Sequence, residues 1–265
     1  MKNKLQIIVS FTGLFIAIVS IITSLYMVEN KSNAEYIEEP KEISTVSKSN
    51  DEFVPVMSGW IKTNKSNIME SPSESSEVID TLYFSDKILY TSYNKEWHKI
   101  NIDGKDAYIS SNHISNHELE SHYYEVPEST GFKSFMDYDS ITAVDSLQYE
   151  IQNSYATTGN YGIRMIDNRY CIALGSHFSN NIGQYVDLIL KNGTVIPCIL
   201  SDQKDDIHTD YNNIVTIHNG CLSEFIVDIN SLDKNVLKHG NISYCCDEWD
   251  SPIVSVKVYD KNLFY

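Results

Sequence analysis

Arginine is almost missing from this chain. Arg164 and Arg169 are the only two, and acidic residues outnumber basic ones 36 to 20, giving a formal net charge of −16. A surface of that sign repels phosphate backbones, so nucleic acid is excluded as an expected partner. Cysteine is scarce and unpatterned: Cys171, Cys198, Cys221, Cys245 and Cys246 are odd in number and contain no C-x-x-C pair. Neither a zinc site nor a complete disulfide framework follows from them. Their ordinary role is that of small buried hydrophobes, with one long-range bridge, Cys198 to Cys221, open to the chain in an oxidising compartment. Adjacent Cys245 and Cys246 are poorly spaced to bridge each other. The sequence has no G-x-S-x-G nucleophile elbow and no D-x-D-x-D-G calcium rhythm, which removes the commonest serine-hydrolase and calcium-loop readings. His208, His218 and Asp210 are joined by YNNIVTI rather than by a helix with ligands at i and i+4, so no metal is expected, nor any cofactor.

Charge is absent altogether from Leu5 to Val28, LQIIVSFTGLFIAIVSIITSLYMV. As a helix, these 24 residues reach about 36 Å, enough to cross a hydrocarbon core of about 30 Å. No A-x-A cleavage pattern follows, so the segment reads as a retained signal anchor. Lys2 and Lys4 precede it, while Lys31 beyond it is offset by Glu29; the positive-inside rule then leaves the N-terminus in the cytoplasm and the rest outside. The expected localisation is a single-pass cell-membrane protein with residues 1–28 as tip and anchor. Lysine-over-arginine usage together with an anchor points towards a Gram-positive source. Residues 29–52, rich in Glu, Lys and Ser, cannot bury enough apolar surface to order themselves and are expected to be a disordered linker.

From residue 53 to 115 short alternating segments are separated by Asn, Ser, Pro, Asp and Gly, the signature of a small all-β unit. The order GWIKTNKSNIMESPSESSEVIDTLYFSDKI, EWHKI and DAYISSNHIS resembles the bacterial Src-homology-3-like (SH3b) domain. Asn67, Pro72, Ser73, Val78, Ile79, Leu82, Trp97, Lys99, Ile100, Tyr108 and Ile109 stand at its motif positions; Met69 and Ser71 replace the usual Arg and Gly. The resemblance implies a five-stranded barrel that binds peptidoglycan or a partner protein, with Trp97 and Tyr108 as candidate groove residues. Both residues also suit the core of so small a barrel.

Residues 116–133 are polar and read as a second linker, leaving 134–265 as a C-terminal domain. There Ser146 to Tyr155 reads as one short helix or helical turn. The segments RYCIAL, QYVDLIL, TVIPCIL, LSEFIVDI, ISY and IVSVKVY read as strands, with Asn192-Gly193 closing a hairpin over 185–200 through a type I′ turn. The expected fold class is therefore mainly β: an N-terminal transmembrane helix, a small SH3-like barrel, then a second β-barrel-type domain with one or two short helices. RYCIALG, Ile182-Gly183, VDLILKNGTVIPCILSDQKDD and EFIVD are similar to the double-psi β-barrel of three-aspartate and rare-lipoprotein-A-like envelope proteins, several of which are lytic transglycosylases. Asp202 and Asp228 match two of that family's aspartates; Gly175 occupies the region of the missing first one.

ILSDQKDDIHTD, residues 199–210, is then either a solvated turn, a cation site or a catalytic acid cluster. In the catalytic reading Asp202, at a strand end, protonates a glycosidic oxygen, Glu224 and Asp228 complete the acid set, and Lys204 or His208 steadies developing negative charge. Asp205, Asp206 and Asp210 would raise the acid's pKa by repulsion. Arg169, with Arg164, Asp167 and Asp137 nearby, is either a structural ion pair or a glycan contact, and Tyr138, Tyr155 and Tyr161 are candidate sugar platforms. The functional expectation has two branches. One is a wall-associated peptidoglycan lytic transglycosylase or glycosidase; the other is a non-catalytic peptidoglycan- or protein-binding module of an envelope or conjugation complex.

Overall fold

Residues that alternate apolar with polar pair into strands because one face can be buried while the backbone is satisfied by neighbours. The computed structural model describes residues 55–127 and 131–265 and shows this on two sheets, with few short helices. The expected membrane anchor and the linker 29–52 lie outside the described residues. Among the described residues no helix is long and apolar enough to cross a membrane.

The first sheet contains β1 (Met57–Ile61), β2 (Lys65–Met69), β3 (Val78–Tyr83), β4 (Lys87–Ser92), β5 (Trp97–Ile102), β6 (Lys105–Ser110) and β7 (Ile114–Ser115), in the order β3-β2-β6-β5-β4-β1-β7. Ile61, Ile68, Ile88, Tyr90, Ile100, Ala107, Ile109 and Ile114 form its core. On β2 Ser66 and Ile68 are buried while Lys65 and Asn67 stay exposed, until a bulge between Ile68 and Met69 leaves both buried.

The second sheet begins inside the segment read as a linker, where β8 (Ser121–Glu125) pairs with the last strand, β16 (Ile253–Asn262). Between them lie β9 (Ser134–Asp137), β10 (Thr157–Thr158), β11 (Arg164–Ile166), β12 (Arg169–Leu174), β13 (Gln184–Leu190), β14 (Val195–Gln203) and β15 (Glu224–Val227). The main order is β10-β11-β12-β14-β13-β16-β8, and β15 joins β12 to β9. β12 is the hub: it runs parallel to β14 and antiparallel to β11 and β15. Its Tyr170, Ile172 and Leu174 pack against one apolar cluster, with Trp249, Phe225 and Leu188, and its Cys171 and Ala173 against another, with Ile199, Ile226 and Tyr259. Burial on both faces explains why RYCIAL reads as a nearly unbroken apolar run.

Phe84, at the end of the third strand, leaves the first sheet's core and joins this second cluster. It meets Tyr185 and Tyr259 edge-to-face at 5.0 and 5.1 Å. The described residues thus form part of one compact unit, Phe53–Tyr265.

Two local expectations are corrected and a third is refined. The hairpin over 185–200 is present, but among its turn residues only Gly193 has positive φ, and the Gly193 N–H donates to the Leu190 carbonyl at 2.9 Å. That is a three-residue loop with glycine at the left-handed position, not a type I′ turn. Asn192 stays out of that region because its side chain accepts from Thr194 N–H and donates to the Glu248 carbonyl. ISY is a 3-10 turn, Ile242–Cys245, since the Asn241 side chain accepts from Ser243 N–H and caps it. The helix over 146–155 is capped by Ser146 but is α-helical only over α1 (Leu147–Glu150), widening to a π-turn across Ile151–Tyr155; only Ile151 of its apolar series is fully buried. A second helix, α2 (Lys234–His239), is capped by Asp233 and ended by Gly240 in the left-handed conformation.

Candidate functional site

Ala173, next to the last residue of the hub strand, is opposite Asp202 on one side and Glu224 on the other. A register shift between Ile172 and Ala173 turns Asp202 to the same face as Glu224. With strands about 4.8 Å apart, the two Cα atoms lie about 9–10 Å from each other across β12. Burial pushes the Asp202 carboxyl above its ordinary range, and the Glu224 charge pushes the same way; hydrogen bonds from the Gln203 backbone and the Gln148 side chain act against them. Glu224 accepts from the Ser134 hydroxyl at 3.3 Å. The structure therefore brings together two of the three expected carboxylates beside α1. Asp228 lies one residue past the end of β15, four residues and about 13 Å from Glu224, and accepts from Ser231 Oγ at 2.9 Å, Asn230 N–H at 3.1 Å and Thr158 Oγ1 at 3.3 Å. The Ser231 hydroxyl in particular holds it below the usual carboxylate range.

The remainder of DQKDDIHTD is occupied with its own loop. Asp205 caps a 3-10 turn, Asp206–His208, by accepting from Ile207 N–H. Asp206 accepts from Ser176 Oγ at 2.6 Å. Burial pushes Asp210 up, but the N–H groups of Val215, Ile214 and Asn212 prevail and hold it low. Lys204 is buried, and its ammonium donates to Thr216 Oγ1 and the Cys221 carbonyl, both at 2.8 Å. His208 is exposed. In these contacts Lys204 clamps the 216–221 loop. Gly175 has a steric reason: a Cβ there would lie 1.9 Å from the Asn213 carbonyl oxygen, so no carboxylate fits at the position. Among the described residues no group of three or more His, Cys, Asp or Glu is arranged to hold a metal.

Arg169 is built into the protein. Only 2% exposed, it donates through Nη1 to Val186 O, Asp187 Oδ1 and Cys198 O at 3.0, 2.9 and 3.0 Å. Through Nη2 it donates to Phe84 O and Ser85 Oγ at 3.2 and 2.7 Å. Phe84, Tyr185 and Tyr259 surround its guanidinium at 5.0–5.6 Å. It rivets the first sheet to the second. Arg164 acts similarly, tying Gln152, Ala156 and Thr158 together while stacking at 4.5 Å on Tyr138. Tyr155 and Tyr161 remain partly exposed.

Trp97 lines a cleft of about 280 Å³ on the outer face of the first sheet, with Lys65, Asn67, Met69, Glu74, Ser110 and His113. Strand pairing explains the assembly. Lys65 and Asn67 are exposed on β2, buried Met69 follows a bulge after Ile68 and pairs with Tyr108, and Ser110 pairs with Trp97. Tyr108 thus neighbours the cleft and packs edge-to-face on Tyr93 at 5.0 Å. A lysine, a glutamate, an amide and an indole around one concavity can hold a ligand carrying both an amine or amide and a carboxylate. Sequence reading found Trp97 but not Lys65, whose only signal is its exposed place on β2, or Glu74, which lies in the turn between β2 and β3; it also missed Asp187, legible as a lone acid within QYVDLIL.

No protein-family model matches the sequence, and no curated protein matches it. Among solved structures, the chain is similar to one titled "Structure of NlpC1 from Trichomonas vaginalis", with 15% identity and a TM-score of 0.23. The similarity covers 37% of this chain and 35% of that one, about a third of each molecule, and is too slight to carry a fold or a function across.

Proposed function

We propose that this is a membrane-anchored, extracytoplasmic, wall-associated protein whose first sheet is an SH3-like module that binds peptidoglycan, or a wall-associated protein, in the Trp97 cleft. The observation that supports the reading is the lining of that cleft. Lys65 and Glu74 offer opposite charges beside an aromatic wall, and wall stem peptides carry free carboxylates and amides that such a lining can pair. The net charge of −16 agrees with a polymer or protein partner rather than a polyphosphate. The test is cosedimentation of the Phe53–Tyr265 unit with purified sacculi. The native unit should pellet, and Trp97→Ala or Lys65→Glu should weaken binding at least tenfold. A native unit left wholly in the supernatant refutes the proposal.

The Asp202–Glu224 pair favours a second reading, a lytic transglycosylase. A carboxyl group whose pKa is raised by burial holds its proton more readily, and can donate it to a glycosidic oxygen and then accept one from the sugar hydroxyl that attacks the departing centre. In this reading the unit releases anhydro-muropeptides from sacculi and Asp202→Asn lowers the rate at least a hundredfold. Absence of product across pH 4–8 removes it.

A further inference from the structure

Cys245 and Cys246 stand apart from the other three cysteines. Cys171, Cys198 and Cys221 are completely buried, whereas this pair is only partly buried at the edge of the first apolar cluster, and all five are free thiols. No Cys198–Cys221 bridge is formed. The neighbouring Sγ atoms lie 3.8 Å apart, with the Cys245 thiol donating to Cys246, an approach that the spacing of adjacent residues did not suggest. Cys245 ends one 3-10 turn and Cys246 caps the next, Asp247–Trp249. We propose that Cys245 and Cys246 are a reversible oxidation site, a dithiol that small disulfides close into an eight-membered vicinal disulfide ring.

The chemistry balances with a disulfide of glutathione type as oxidant. The Cys246 thiolate attacks one of its sulfurs, the disulfide bond breaks, and one half departs as a thiolate that takes up a proton. Cys245, losing its proton to solvent, attacks Sγ of Cys246 and expels the second half. Two electrons and two protons pass from the protein to the oxidant. The roles follow from the local field. The hydrogen bond from Cys245 holds the Cys246 thiol below its ordinary range, the same bond and burial push Cys245 above it, and thiolates are the attacking species. Bonding requires the sulfurs to close from 3.8 Å to about 2.05 Å. Neighbouring Cα atoms about 3.8 Å apart fall short of the usual disulfide span of about 4.4–6.8 Å, so the ring is strained and readily reduced.

The site is mechanically connected. Trp249 N–H donates to the Cys246 carbonyl at 3.1 Å. Buried Lys133 donates to Ser243 Oγ, Trp249 O and Ser251 O at 3.0, 2.8 and 2.9 Å, gripping the chain on both sides of the pair. Trp249 in turn packs on Tyr170 at 5.0 Å. Ring closure therefore pulls on the Lys133 cage and shifts the surroundings of Trp249.

The experiment treats the native full-length chain with excess oxidised glutathione, then alkylates and maps thiols by mass spectrometry. The expected result is loss of two of the five thiols, an internal link within the peptide carrying residues 245 and 246, no retained glutathione, a change in tryptophan emission and full recovery with dithiothreitol. Cys245→Ser should trap glutathione on Cys246 as a stable mixed disulfide. Retention of all five thiols, stable glutathione on both cysteines, or a disulfide-linked dimer through either one overturns the proposal. The wild-type measurement requires no variant to fold and does not depend on wall binding.

Discussion

Replacing Arg169 with alanine removes five hydrogen bonds and strands the Asp187 carboxylate, which is 5% exposed and keeps only the Tyr259 hydroxyl, at 2.6 Å, among its side-chain partners. Breaking one side of a buried pair costs about 3–5 kcal/mol, mostly from the charge left behind. Loss of guanidinium packing on Phe84, Tyr185 and Tyr259 adds about 0.5–2 kcal/mol, partly overlapping the first amount. We therefore expect Arg169→Ala to destabilise Phe53–Tyr265 by about 4–5 kcal/mol. In urea, with an m value of about 2–3 kcal/mol/M for a chain of this length, the midpoint should fall by about 2 M. Arg169 also links Phe84 and Ser85 to the second sheet, so the transition should broaden or separate into two. Adding Asp187→Asn removes the stranded charge and should restore at least about 1–2 kcal/mol. A loss under about 1 kcal/mol for Arg169→Ala, or no restoration by Asp187→Asn, would show that the network does not hold the sheets together.

Burial lowers Lys133 from 10.5 to about 8; between those values the unfolded chain keeps a proton the folded chain releases, so this group makes stability rise with pH through that window. The wild-type protein should gain about 2–3 kcal/mol between pH 7.5 and 10 relative to Lys133→Met, measured by urea unfolding at each pH. Asp202 has the opposite sense: its raised folded-state pKa lowers stability as pH climbs from 3.8 towards that value. Asp202→Asn should therefore raise Tm at pH 7, whatever it does to activity, and a calorimetric scan checks the sign. Gly175→Ala places a methyl 1.9 Å from a carbonyl oxygen on another loop, with no flexible side chain to yield, and should cost at least about 2–3 kcal/mol; an unchanged unfolding midpoint would show that the Asn213 loop gives way freely.

Function and stability occupy different sides of the charge inventory. Among the described residues the buried cations Arg164, Arg169, Lys133 and Lys204 hold backbone carbonyls of other segments and Lys257 pairs with Glu118, so the few positive charges inside this acidic protein serve mainly as cross-links. Lys65 stands at the cleft instead. That division explains why Arg169 and Lys204, attractive as ligand contacts in isolation, end in structural networks.

Mainly-β architecture was legible in the sequence because short runs rich in β-branched and aliphatic residues, bounded by turn residues, favour strands: QYVDLIL is β13 residue for residue, and RYCIAL is β12. The helix caps Ser146 and Asp233 are local chemistry too, settled within three residues of chain. The turn at Gly193 kept its glycine but changed type, since Ser251 and Glu248 from a distant segment bind Asn192. What tertiary structure alone decided was pairing across sequence distance. Asp202 meets Glu224 only because both strands flank Ala173, and Asp228, next in the motif, is left behind by strand geometry. Arg169 acquires Phe84 and Lys133 acquires Trp249 from more than 80 residues away. A sequence determines which groups can pair and which face they take; the partner each one meets is set by which strands lie side by side.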